Sequence, residues 1–269
     1  MKGMNAKYLL IFLLLINYMW ASFSIRNLDI HINIDDNGVA KVEEDIYILI
    51  KGELDLGRYT TNLEEKNLYV WSKLIDDTEV RIHADPNNCL IKNLKVRPQP
   101  PQNYNALTKT AVGLIKVTYE IDALPNKNDS GVVFVKSIKP RVKEYSFNSD
   151  ILSLPRTVSG NLILDERTSL YITLPQKAEV VEINPEPYRL DRASNTYLWK
   201  NTILVDFTLR YLMEETLYEE ISSFFSNMTN AIGAFMLTKD GVVVISSTLI
   251  VLAFYIYFKL FMIKRKKQK

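Results

Sequence analysis

The chain has 269 residues, with 33 Lys or Arg and 31 Asp or Glu, so its formal net charge is only +2. Five basic residues lie within residues 264–269, and the rest of the chain is therefore neutral or mildly acidic. A nucleic-acid-binding domain needs a basic face, so this charge distribution excludes nucleic acid as a partner. A single cysteine, Cys89, excludes an internal disulfide, so a hydrophobic core must stabilise the fold.

The N-terminus has the charge pattern of a secretory signal. Two lysines precede a short apolar run at residues 8–20 (YLLIFLLLINYMW). We place the signal at residues 1–24, where the small residues Ser22 and Ser24 precede a cut at Ile25. An uncleaved signal-anchor is the alternative. With either outcome, the chain after residue 24 is expected outside the cytoplasm.

Residues 25–50 predict a β-hairpin. Apolar residues alternate with polar ones from Leu28 to Ile34, which is the period of a half-buried strand. The Asp-Asp-Asn-Gly sequence at 35–38 then favours a tight turn, and apolar residues of one parity continue to Ile50. A calcium-binding EF-hand loop is excluded at this turn, because the Gly and Glu spacing does not fit.

Further short strands are predicted between clusters of Gly, Pro, Asn and Asp. They are residues 68–75, 79–83, 89–96, 112–121, 131–138, 161–164, 169–174, 179–183, 196–200 and 203–211. With no helical pattern between them, these strands predict an antiparallel β-sandwich over residues 25–211. The proline-rich residues 98–105 are either a long loop inside one sandwich or a linker between two smaller ones.

Residues 212–238 predict an amphipathic juxtamembrane helix. Apolar residues recur every three or four positions and form one seam: Leu217, Ile221, Phe224, Met228 and Phe235. This seam has three interpretations. It associates with a second copy or a partner helix, it packs on the β domain, or it lies flat among lipid headgroups.

Residues 241–263 predict a transmembrane helix. From Val242 to Ile263 the only charge is Lys259, and a helix of this length spans roughly 33 Å, enough to cross a bilayer. Four consecutive basic residues follow the span: Lys264, Arg265, Lys266 and Lys267. The excess of positive charge predicts that the tail 264–269 is cytoplasmic and that the β domain lies outside.

No motif for catalysis or cofactor binding is found. The nucleophile-elbow, phosphate-loop, dinucleotide and zincin patterns are absent, and the chain has only 9 glycines. The histidines, His31 and His83, lie in no recognisable cluster with Cys or carboxylates, so we interpret both as surface or partly buried structural residues. Cys89 is expected to be a small, half-buried apolar residue. Catalytic, cofactor-binding and metal residues are all predicted to be absent, and no cofactor is expected.

Adjacent acidic residues occur at Glu43-Glu44, Glu64-Glu65 and Asp76-Asp77. Neighbouring residues of a strand point to opposite faces, so such pairs do not present two carboxylates to one substrate. We therefore expect these residues at solvated edges and turns.

Two sequons offer glycosylation sites on the exported side. Asn128 lies in a predicted loop, where a glycan is readily carried, and Asn227 lies in the juxtamembrane helix. Sequons of this kind also arise by chance, so their positions are more informative than their number.

Two segments resemble uncharacterised predicted membrane proteins of archaea and bacteria that carry an extracellular N-terminal β-domain. The first is the strand, D-G turn and V-x-E strand of residues 25–50 (IRNLDIHINIDDNGVAKVEEDIYILI). The second is residues 170–190 (LYITLPQKAEVVEINPEPYRL) with Tyr197-Leu198-Trp199. The resemblance implies a membrane-bound surface domain and no established activity.

The sequence thus predicts a membrane-anchored surface protein with a binding or structural β-sandwich, and not an enzyme. The expected partners are the membrane, another envelope or membrane protein, or a second copy bound through the juxtamembrane helix. An accessory or sensory subunit of a membrane complex is the second hypothesis. An extracytoplasmic enzyme is the third.

Overall fold

The computed structural model describes residues 23–125, 127, 130–139, 141–214, 217–244, 246–248 and 254. Within this part of the chain, eleven strands are found: β1 Phe23–Ile34, β2 Ala40–Lys51, β3 Leu90–Asn105, β4 Thr110–Asp122, β5 Val133–Lys139, β6 Val142–Phe147, β7 Leu162–Thr173, β8 Glu179–Asn184, β9 Arg189–Asp191, β10 Thr196–Leu204 and β11 Thr208–Glu214. The helices are α1 Glu53–Thr61, α2 Leu68–Ile75 and α3 Leu217–Met236, with a 3-10 turn at Ser149–Ile151. The prediction of a mostly β fold is confirmed.

The strands form two sheets. The larger has the order β3-β4-β2-β1-β7-β10-β9, and the smaller has the order β5-β6-β11-β8. β1 pairs antiparallel with β2 but parallel with β7, where Leu28 lies opposite Thr168. The expectation of a purely antiparallel fold is therefore wrong at the centre of the larger sheet, because β7 returns to the free edge of β1 in the same direction.

The predicted hairpin of β1 and β2 is confirmed. The Asp35 carboxylate accepts hydrogen bonds from the backbone N–H of Asn37 and of Val39, both at 2.9 Å. Gly38 has φ 80, a conformation that glycine adopts without steric cost. Alternation along both strands then directs Ile30 and Ile46 into the core, where each is at most 1% exposed.

Two predicted strands are wrong. Residues 68–75 form helix α2, because Leu68, Trp71 and Ile75 follow helical spacing and Asn67 caps the helix by accepting from the Tyr69 N–H at 3.0 Å. The β-branched and aromatic content of this segment is equally typical of a strand. Residues 79–83 are not a strand but part of the connection between α2 and β3.

Residues 98–105 are neither a loop nor a linker but the second half of β3. β3 lies at the edge of its sheet, where a proline removes no hydrogen bond that a central strand would need. Register shifts between Lys92 and Lys95, and between Gln99 and Gln102, accommodate the irregular sequence. The described residues from Phe23 to Met213 form a single compact unit with one hydrophobic core.

Helix α1 packs on the larger sheet through Tyr59, which is fully buried. Its hydroxyl lies 2.9 Å from the carbonyl oxygen of Gln99 and accepts the backbone N–H of Leu114 at 3.0 Å. The ring approaches β4 at Gly113, where an added Cβ would lie 2.6 Å from the Tyr59 Cε2 atom. Only glycine leaves room for this contact.

Substitution of Gly113 by Ala is expected to lower the free energy of unfolding by about 1–3 kcal/mol, because the new methyl group overlaps the Tyr59 ring. The matched control is Gly57→Ala in α1, where nothing lies within 4 Å of the added Cβ. There, Ala is expected to be neutral or to stabilise the helix by up to about 1 kcal/mol. Urea unfolding of both variants measures the difference, and equal effects would contradict the close contact.

Aromatic side chains join the two sheets. The Phe207 ring contacts Trp199 of the larger sheet at 5.2 Å between centroids and Phe147 of the smaller sheet at 5.8 Å. The Trp199 Nε1–H donates to the carbonyl oxygen of Pro185 at 2.9 Å, so its one polar atom is satisfied in the core.

The C-terminal unit begins at Glu214. Its helix α3 starts five residues later than predicted, because residues 212–214 complete strand β11. Among the described residues, no single helix is long and apolar enough to cross a membrane. The pair Met228–Met236 and Lys239–Thr248, bent by 82°, reaches that length and composition together. Most of the predicted span 241–263, and all of the signal region before Phe23 and the basic tail, lie outside the described residues.

Candidate functional site

A buried carboxylate is the most unusual feature of the core. Glu44 is 0% exposed and lies on the core face of β2, between Ile30 of β1 and Val117 of β4. The expectation that Glu43-Glu44 is a solvated pair is therefore wrong for Glu44, whereas Glu43 faces outward and pairs with Lys116. A carboxylate in this position must be hydrogen-bonded or paired with a cation.

Three donors satisfy Glu44. Its Oε1 accepts the backbone N–H of His83 at 2.8 Å and the Tyr119 hydroxyl at 2.5 Å, while Oε2 lies 2.8 Å from the His83 Nδ1. Burial, followed by the negative charge of Glu44, raises the pKa of Tyr119 well above its usual range, so the phenol remains a donor. His83, Tyr119 and Glu44 thus form one buried polar cluster.

The second ring nitrogen of His83, Nε2, lies 3.2 Å from Glu79 Oε2. With a carboxylate on each side, both nitrogens must donate, and the ring is an imidazolium. Burial of the ring opposes its protonation, but the hydrogen bonds to Glu44 and Glu79 outweigh burial and raise the pKa of His83 to about 9. The bond from His83 also lowers the pKa of Glu79. The expectation that His83 lies outside any carboxylate cluster is wrong.

The pairing of His83 with a carboxylate resembles part of a catalytic triad, but here the histidine has no free nitrogen to act as a base. A general base needs an unshared lone pair near neutral pH, and both nitrogens of His83 are occupied by carboxylates. Glu79, with its lowered pKa, is a weak base. The role of the cluster is therefore structural. It attaches the connection between α2 and β3 to the centre of the sheet.

A small cleft of about 150 Å³ opens beside Glu79. Its floor is apolar, from Ile25, Leu28 and Leu154, and its rim carries Asp165 and Arg167. Asp165 already accepts hydrogen bonds from the Arg167 guanidinium and the Thr168 hydroxyl. Glu79 thus connects His83 of the buried cluster to this cleft.

The outer face of the larger sheet is polar. His31, which was expected on this side, stacks on Tyr171 with 4.2 Å between ring centroids. Asp29 and Asp45 lie opposite each other on β1 and β2, and burial raises the pKa of Asp29. A groove of about 330 Å³ crosses this face, lined by Arg26, Asn27, Asp29, Tyr47, Gln102, Asn103, Val112 and Leu114. Amides, charges and an aromatic ring together offer contacts to a polar ligand.

Cys89 is an inert core residue. It is 1% exposed, more deeply buried than expected, and its Sγ lies 3.2 Å from the carbonyl oxygen of Asp85. Burial, together with the negative charge of Asp85, raises the pKa of Cys89 to about 11. The thiolate is therefore scarce at neutral pH.

The predicted helix seam lies on α3. Three of its residues have described side chains, and Ile221, Met228 and Phe235 are 46%, 40% and 49% exposed. The side chains of Leu217 and Phe224 are outside the described set, although both residues lie within the helix. Of the sequons, Asn128 is outside the described residues and Asn227 lies on α3. Lys264, Arg265, Lys266 and Lys267 are also outside them.

The sequence contained one signal for the buried cluster. Glu44 has the same parity as Val42 and Ile46, which places a carboxylate on the apolar face of its strand. Tyr119 shares the parity of Val117 and Ile121, but no local pattern joins it or His83 to Glu44. Among the described residues, no group of three or more His, Cys, Asp or Glu has the geometry to hold a metal ion.

No protein-family model matches the chain, and no curated protein sequence matches it. Weak structural similarity is found to yeast leukotriene A4 hydrolase in complex with bestatin (TM-score 0.31, 8% identity), covering 71% of this chain and 28% of the hydrolase. The native enzyme from Saccharomyces cerevisiae gives the same TM-score of 0.31 at 7% identity, with 71% and 29% covered. The NMR structure of the folded domain of Mycobacterium tuberculosis LppM gives 0.26 and 11%, with 74% and 94% covered. Similarity at this level carries no argument about activity.

Proposed function

We propose that the chain is a membrane-anchored surface protein whose β domain lies outside the cytoplasm and serves in binding or as a structural element. The observation that carries the proposal is the exposure of apolar side chains on α3. Ile221, Phe225, Met228, Ile232 and Phe235 are each between 40% and 55% exposed. A row of exposed apolar side chains on one helix marks contact with lipid or protein.

The sequence around α3 supports an anchor. The apolar residues 242–263 follow the helix, and the basic residues 264–269 follow them. An excess of basic residues marks the cytoplasmic side of a span, so the β domain is placed on the other side. The single buried cysteine is compatible with an oxidising compartment, since it offers no accessible thiol.

The binding role would use the outer face of the larger sheet. The groove beside Tyr47 offers polar contacts together with the apolar side chains of Val112 and Leu114. We do not propose catalysis, because both ring nitrogens of His83 are held by carboxylates. The extracytoplasmic enzyme is therefore the least supported of the three hypotheses.

A role as an accessory or sensory subunit is the second candidate. The exposed residues of α3 recur at alternating steps of four and three, which is the spacing of a helix that packs against another helix. The partner would be another membrane protein or a second copy of this chain. Copurification at fixed stoichiometry in mild detergent would favour this candidate.

Protease protection on intact cells tests the anchor. A cleavage site inserted at Leu107, which is 96% exposed in the turn between β3 and β4, makes the folded domain susceptible. We expect external protease to cut this site while a tag after Lys269 stays intact. A cut tag with an intact β domain would overturn the orientation and make the domain a cytoplasmic module.

Replacing Lys264, Arg265, Lys266 and Lys267 with Gln provides the matched control. If these residues orient the span, part of the population should then expose the tag to external protease. An unchanged cleavage pattern would show that another feature sets the orientation.

A further inference from the structure

Strand β5 is exposed on both of its faces. It lies at the edge of the smaller sheet, and every residue from Phe134 to Lys139 is exposed. Val135 is 51% exposed although its partner on β6, Tyr145, is buried. Strand β6 therefore packs on the hydrophobic core, whereas β5 extends beyond it into solvent.

The exposed side chains of this hairpin are apolar and basic. Phe134 and Ile138 are 39% and 47% exposed, with Lys136 between them and Lys139 next in sequence. Lys136 and Lys139 are both exposed, whereas Arg141 and Lys143 each already have an interaction partner. The acid of the hairpin, Glu144, is paired with Arg210 of β11 at 3.0 Å.

The hairpin tip lies at the end of the sheet where the chain leaves the β domain. Phe147 contacts Phe207, whereas Tyr145 stacks on Tyr211 with 5.2 Å between centroids. The higher residue number on β11 thus pairs with the lower one on β6, so these two neighbouring strands run antiparallel. Val142, at the start of β6, therefore lies near Met213 at the end of β11.

We infer that the β5–β6 hairpin docks on an anionic lipid surface, namely the membrane that anchors the chain. The inference rests on the proposed anchor, and it gives the chain a second contact with the same membrane. Basic side chains near anionic headgroups are favourable, and neighbouring aromatic and aliphatic side chains enter the interface. Pairing of β5 with a second copy is less favourable, because lysines on an edge strand oppose strand addition.

A fluorophore at the hairpin tip tests the inference in the full chain. Ser137→Cys carries an environment-sensitive label, because the native thiol of Cys89 is buried and does not react. The chain is reconstituted in nanodiscs of phosphatidylcholine, with or without phosphatidylglycerol, containing a lipid with a nitroxide on its headgroup. We expect strong quenching of the label in the anionic discs and weak quenching in phosphatidylcholine alone.

The matched control is a label at Val158→Cys. Val158 is fully exposed, and its loop contacts the start of β11, where the Asp206 N–H donates to Asn161. Strand β11 runs from this loop toward the hairpin tip, so the two label sites are about 20 Å apart along β11. Quenching at Val158→Cys should be weak in both discs. Lys136→Gln with Lys139→Gln should lower the ratio of docked to free hairpin roughly 30-fold at low salt.

The outcomes separate the two proposals. Chain that does not float with the discs would overturn the anchor and the docking together. Chain that floats but shows equal quenching at the two label sites would overturn only the docking. Energy transfer between labels on two copies, without quenching by the lipid, would replace lipid docking with strand pairing.

Discussion

Replacement of Glu44 by Ala is expected to lower the free energy of unfolding by about 3–5 kcal/mol, since it leaves a buried cation without its partner. The variant also removes the acceptor for the His83 N–H and the Tyr119 hydroxyl. Chemical denaturation monitored by tryptophan fluorescence measures the change, because Trp71 and Trp199 are both buried in the core.

The adjacent residue provides the matched control. Glu43 has the same chemistry and lies on the same strand, but it faces outward and pairs with Lys116. Glu43→Ala should cost about 1 kcal/mol or less, as for other exposed ion pairs. Equal losses in the two variants would contradict a special role for the buried carboxylate. If Glu44→Ala does not fold, Tyr119→Phe removes one donor and should cost about 1 kcal/mol.

The protein is expected to lose stability as the pH rises from 6.5 to 9. His83 has a pKa of about 9 in the folded chain and 6.5 as its ordinary value. Between these values the folded chain holds a proton that the unfolded chain has lost, so stability falls with rising pH. The full effect is present below pH 6.5 and corresponds to roughly 3 kcal/mol.

A His83→Gln variant tests the assignment of this slope. Gln cannot become positively charged, so the variant should be less stable at pH 6 and should show little change up to about pH 8. Tyr119 and Cys89 stay protonated in the folded chain throughout this range, because burial raises the pKa of each. An unfolded cysteine thiol ionises at about pH 8.5, so the slope below about pH 8 is the one that tests His83 alone. A wild-type protein whose stability is constant across the range, or a variant that retains the slope, would contradict the assignment.

Local periodicity was sufficient to predict β1, β2 and β4 but not which strands lie beside them. The alternation in β1, β2 and β4 reflects burial of one face, and this pattern is visible in the sequence. Helix α2 was missed because its eight residues are too short for its period to outweigh their strand-like composition. The parallel pairing of β1 with β7 joins residues far apart in the chain, and no local pattern encodes it.

The candidate site was predictable only in part. The parity of Glu44 indicates a carboxylate on the core face, whereas the rule that adjacent acids point apart does not say which face is buried. The contact of His83 with Glu44 depends on the path of an irregular connection after α2. Such a path is determined by tertiary packing, as in the bond from the Ser153 N–H to the His83 carbonyl.

The parallel pair at the centre of the larger sheet also constrains the order of folding. β1 and β2 form a local hairpin as soon as they are synthesised, and β3 and β4 extend that sheet on the side of β2. The other edge of β1 stays unpaired until β7 has been synthesised, and β7 follows β5 and β6 in the chain. During synthesis this half-sheet therefore presents an open strand edge until β7 emerges. Folding intermediates should associate through β1, and a chaperone that protects the nascent domain should bind there.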